Sequence, residues 1–163
     1  MAFDLQFLLA LTSVIAFLQA APFLVLAARD RRHRSLAYWG AGLLCLGLGN
    51  GGLALRHVIP DALSIVLANT LLVASYVPFH AAVLKLRVEP VPRFDAFGWC
   101  VTAGVAVAFT WFTFYVPNLA TRIFAIQLAA AILSARIAMD FTTHSRSSAG
   151  TLPCHIIAAL TWF

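Results

Sequence analysis

Four long stretches of this chain carry no charged side chain: residues 5–28, 35–55, 62–84 and 96–121. A helix needs roughly 20 apolar residues to cross the hydrocarbon of a bilayer, and each stretch reaches that length. A chain inside lipid must also satisfy its own backbone hydrogen bonds, which leaves helices or a closed barrel. Runs this long and unalternating fit helices. Composition agrees. Only 10% of the residues are charged and 62% are hydrophobic, with a mean hydropathy of +0.90. A water-soluble domain carries about 25% charged residues. The solvent for most of this surface is therefore lipid.

A fifth span is expected over 118–139, although it contains Arg122 and Arg136. These lie 14 positions apart, about 21 Å along a helix. Arginines reaching outward from both ends extend that to the thickness of the hydrocarbon. The apolar segment 151–163 is shorter and reads as the beginning of a sixth crossing in a piece of a longer protein. The expected fold is thus a single all-α, polytopic transmembrane bundle over residues 1–163. Its spans are near 5–28, 35–55, 62–84, 96–116 and 118–139, with an incomplete sixth at 151–163.

Positive charge orients the bundle. Arg29, Arg31, Arg32, Arg34, Lys85, Arg87, Arg93, Arg136 and Arg146 fall on one side, and only Arg56 and Arg122 on the other. The first set belongs in the cytoplasm, which puts the N-terminus outside. The first span is not a cleaved leader, because its basic cluster follows the apolar run. The net charge of +5 does not imply nucleic-acid binding, since the basic residues are scattered through short loops. Pro60 and Pro117 mark outer turns, and Asp61 is expected to cap the third helix. Tyr38, Trp39 and Trp99 fall near the inner boundary, and Trp111, Phe112 and Tyr115 near the outer one.

Polar side chains within the spans are the candidate functional residues, because each is costly in lipid. Asn69, Tyr76 and His80 follow one another at seven and four residues, on one helical face. Thr12 and Gln19 form a second stripe, and Gln127 and Ser134 a third. If the three converge, Gln19, Asn69, Tyr76, His80 and Gln127 line a small ligand- or proton-binding cavity. The plainer alternative is interhelical hydrogen bonding. Arg122 is either a snorkelling interface arginine or, with Arg56, an anion-sensing group at an outer vestibule. Gly47 and Gly51 form a small-xxx-small pair for close helix packing inside the subunit, the alternative being a dimer seam. Pro22 and Pro78 are expected to kink their helices.

Several chemistries lack residues. No lysine lies deep in a span, Asp4, Asp61 and Asp140 sit near helix ends, and there is no phosphate loop or zinc-ligand spacing. Cys45, Cys100 and Cys154 lie in apolar runs and read as small buried residues. No catalytic residue, metal ligand or cofactor is expected in these residues. A haem held by His80 and His155 is the weakest alternative.

Two stretches carry a family resemblance. LRHVIPDALSIVLAN (55–69) and FTFYVPNLATRI (112–123), together with Tyr38-Trp39-Gly40, resemble the junctions of a multi-helix membrane input domain of bacterial GGDEF proteins over roughly residues 35–135. The stretch 75–80 departs from the aliphatic, glycine-containing helix end of that pattern. The resemblance implies a sensory module that controls a C-terminal diguanylate cyclase using GTP and Mg. It also implies pairing of two chains, since such cyclases act as dimers. No GGDEF signature occurs here, so the catalytic domain is expected after Phe163. The expected function is therefore membrane-embedded input to cyclic di-GMP signalling in response to an unknown small ligand. A small permease is the alternative.

Overall fold

The computed structural model describes residues 2–29, 34–86 and 95–145. They form helices α1 (Ala2–Arg29), α2 (Arg34–Ala54), α3 (Ala68–Ala74), α4 (Tyr76–Leu86), α5 (Ala96–Phe114) and α6 (Leu119–Ser145), with a π-helical turn over Ala62–Leu67 before α3. Among the described residues the only extended pairing is an isolated bridge between Arg56 and Ile59. The π turn, α3 and α4 run on as one rod.

Four of these helical units are long and apolar enough to cross a membrane: Leu5–Arg29, Ala62–Leu86, Ala96–Phe114 and Leu119–Asp140. Their outward faces carry large apolar side chains in water-hostile numbers; Leu18, Val107 and Phe124 are 68%, 70% and 66% exposed. Such continuous apolar surface is what lipid contact requires. α2 is not among the four. At 21 residues it is long enough, but six glycines and Asn50 lower its hydropathy. The expected sixth crossing, with Cys154 and His155, lies outside the described residues, as do Arg31, Arg32, Arg87, Arg93 and Arg146.

The glycines of α2 explain its place in the bundle. Side chains added at Gly40, Gly47 and Gly51 would meet Leu24, Phe17 and Ser13 of α1 at 2.7, 3.1 and 3.0 Å. Those added at Gly42, Gly49 and Gly52 would meet Phe79, Leu72 and Ala68 at 2.5, 2.7 and 2.9 Å. Two glycine rows thus face two neighbours, and in both the partner positions descend as the α2 positions rise. α2 is antiparallel to α1 on one side and to the α3–α4 rod on the other. Ser13 Oγ donates to Gly47 O at 2.8 Å, a bond made possible by that close approach. The second half of the core joins the rod to α5 and α6 through Ile65, Val73, Val105, Phe109, Ala129 and Leu133.

Local chemistry sets the breaks. His57 has φ 83°, a left-handed conformation that turns the chain after α2, and Gln6 Nε2 donates to Arg56 O at 3.1 Å. Asp61 does not cap the following helix as expected. Its φ of −58° and ψ of −30° are helical, where a capping residue is extended, and its side chain makes no capping bond. The Pro60 carbonyl instead takes Leu63 N and Ser64 N at 2.9 and 3.0 Å. Pro78 cannot donate to Ala74 O, and the helix breaks at Ser75, whose Oγ turns back to Leu72 O at 2.6 Å. α1 continues through Pro22 without a break. Asn118 starts α6 by accepting Thr121 N at 3.2 Å.

Candidate functional site: a histidine between two carboxylates

Asp95 begins α5. Its carboxylate accepts Gly98 N at 3.2 Å, in the manner of a helix N-cap. The same Oδ1 accepts Arg136 Nη1 from α6 at 2.7 Å, while Oδ2 lies 3.2 Å from His80 Nδ1 on α4. The other ring nitrogen, His80 Nε2, lies 2.6 Å from Asp140 Oδ2, one turn beyond Arg136 on α6. The Arg136 guanidinium also rests over the Phe97 ring, 5.0 Å from its centroid. One imidazole therefore ties together the ends of three membrane helices.

A neutral imidazole has one donor and one acceptor nitrogen. Here each ring nitrogen faces a carboxylate oxygen. The contacts are sheltered, because the His80 side chain is only 6% exposed and Asp95 10%. Burial by itself would raise the Asp95 carboxyl, but Arg136, the Gly98 N–H and His80 outweigh it and hold the group below the ordinary carboxylate range. Gly98 belongs to the arrangement, since a Cβ there would stand 2.9 Å from both Asp95 Oδ2 and Val77 Cγ2.

The cleft at the cluster is lined by Tyr76, Val77, His80, Leu133 and Ile137 with the charged groups. It has room for little more than a single water. A haem iron would have to displace a carboxylate from His80 to reach a ring nitrogen.

Of the sequence candidates, Tyr76 and His80 meet here. Asn69 does not: it lies eleven residues, about 16 Å of helix, from His80, and its amide turns back to Ile65 O at 2.6 Å. Gln19, Thr12 and Gln127 are exposed on the outer faces of α1 and α6, and Thr12 Oγ1 bonds its own helix at Leu8 O. The three stripes do not share a cavity. Gly47 and Gly51 lie against α1. Arg122 Nη1 donates to Thr113 Oγ1 at 3.3 Å, and its Nε is buried without a partner. Sequence reasoning passed over Asp95 and Arg136 as members of a site. Their signals were an Asp placed three residues before Gly98 and an Arg–Asp pair four apart at the same membrane side as His80. No family model, curated protein or solved structure matches the chain.

Proposed function

We propose that the chain is a membrane-embedded sensory or regulatory input module that acts on cyclic di-GMP signalling through a cyclase domain beyond these residues. The observation that carries the reading is the His80 bridge between Asp95 and Asp140. It is a charged clasp at the ends of helices α4, α5 and α6, beside a cleft too small for a transported solute. A clasp of this kind has two arrangements, closed on both carboxylates or open at one of them, and the second lets the helices it joins move apart. α6 then carries the change along the chain. The junction motifs at 55–69 and 112–123 support the signalling assignment.

The proposal includes a bacterial cytoplasmic membrane, an outer N-terminus and five crossings, α2 being the second. Its support is the positive-charge bias and the position of α2 between two membrane-long antiparallel neighbours. The test is cyclic di-GMP output from the full reading frame in membranes, comparing wild type with His80→Gln. Gln presents an oxygen to one carboxylate and cannot hold both. A several-fold change in output is expected, with unaltered membrane insertion. Equal output from the two, or a reading frame that encodes no cyclase-type domain, removes the basis for the proposal.

A further inference from the structure

Arg122 is not part of the His80 clasp, and it presents a separate problem. It lies one turn into α6, at the opposite end from Arg136. Its Nε is buried with no hydrogen-bond partner, and the guanidinium makes a single long bond, 3.3 Å, to a neutral hydroxyl. Among the described residues the ion pairs are those of His80 and Arg136, so no carboxylate neutralises Arg122. A half-buried cation held by one long bond to a neutral hydroxyl is expensive, and a counter-ion at its guanidinium would offset that cost.

The geometry points to an oxyanion site at the α5–α6 turn, in which Arg122, steadied by Thr113, takes a phosphate-type group. A planar guanidinium matches phosphate oxygens two at a time. α6 begins at Leu119, so the positive end of its dipole adds to the attraction. The stacked pair Trp111 and Tyr115, 4.9 Å apart, lies beside the turn at the depth where aromatic rings meet headgroups. A phosphate at the guanidinium would add charge-assisted bonds to the single long one made to Thr113. Arg56 is differently placed. It follows α2, which is packed by α1 and the α3–α4 rod rather than by α6.

The phosphate has two possible sources, a lipid headgroup or the free ion, and the test separates them. The full chain is purified in neutral detergent and titrated with phosphatidylglycerol, phosphatidylcholine or inorganic phosphate, and bound adducts are counted by native mass spectrometry. Wild type is expected to retain one equivalent of phosphatidylglycerol or of phosphate in preference to phosphatidylcholine. Retention should fall about tenfold or more in Arg122→Gln, consistent with loss of a charge-assisted pair, and hold in Arg56→Gln. Lipid retention that inorganic phosphate does not compete away assigns the headgroup; competition assigns the free ion. Arg122→Lys keeps the charge without the fork and guards against misfolding of the glutamine variant; it should bind at intermediate strength. Wild type that retains neither probe, or retention equal in Arg122→Gln, overturns the site.

Discussion

His80 holds Asp95 and Asp140 together by two hydrogen bonds, and Arg136 and the Gly98 N–H add to the hold on Asp95. Asp95 is the more deeply placed of the two. Replacing it by Asn leaves Arg136 and the His80 ring facing an amide, at a cost of about 2 kcal/mol for a pair that is partly solvated. Thermal unfolding in detergent should show the loss. The pH dependence has a definite sign. Because the folded Asp95 carboxyl lies below its ordinary value, its stabilisation is complete above about pH 4 and drains away as the pH falls further. The wild-type midpoint should therefore drop in that acid window, and the Asp95→Asn midpoint should drop less. Parallel curves would refute the assignment. A second residue-level expectation concerns His57, whose φ of 83° is tolerated by Gly and resisted by β-branched residues. His57→Gly should be near neutral, whereas His57→Val should cost about 1 kcal/mol in the same unfolding assay.

At the scale of helices, the long uncharged runs were legible because lipid leaves a backbone few alternatives. The helix ends at Pro117-Asn118 and near Pro60 were legible from turn chemistry. The π turn over Ala62–Leu67 was not. It depends on the Pro60 carbonyl and on a junction with α2 and α5 that no local spacing announces. A shared face did not make a shared site, because Asn69 lies eleven residues, about 16 Å of helix, from His80. The clasp was hidden for a different reason. Arg136 and His80 are 41 and 15 residues from Asp95, and Asp95 and Arg136 each read alone as ordinary helix-end residues, so only His80 stood out. The glycines of α2 give an element-level prediction. Gly49→Ala pushes a methyl to 2.9 Å from Ala68 O, a backbone atom that cannot step aside, and should cost about 1–3 kcal/mol. Gly104→Ala meets nothing within 4 Å and should be neutral or slightly stabilising. Equal effects would mean that α2 is not held as tightly as its glycine rows imply.

For the whole molecule, the decisive matter is whether α2 crosses the membrane with its neighbours. Hydropathy alone leaves it out, because glycine contributes length without apolar surface. Packing argues the other way. α2 lies antiparallel against α1 over the stretch from Gly40 to Gly51 and against the α3–α4 rod from Gly42 to Gly52, and both neighbours are long enough to span. A helix sandwiched over that length shares their depth. If α2 crosses, the turn at His57 and the turn at Tyr115 lie on one side, and the Arg29 end of α1 and the Lys85 end of α4 on the other. If it does not, Arg29 and His57 share a side, and the cationic residues lose their bias. Single cysteines at positions 29, 57, 85 and 115, in a chain with Cys45, Cys100 and Cys154 replaced by Ser, separate the two arrangements. With an impermeant maleimide on intact cells, His57→Cys and Tyr115→Cys should label, while Arg29→Cys and Lys85→Cys should label only after permeabilisation. Arg29→Cys and His57→Cys behaving alike, both labelled or both protected, with Lys85→Cys opposite to them, would place α2 along the surface and undo the five-crossing bundle.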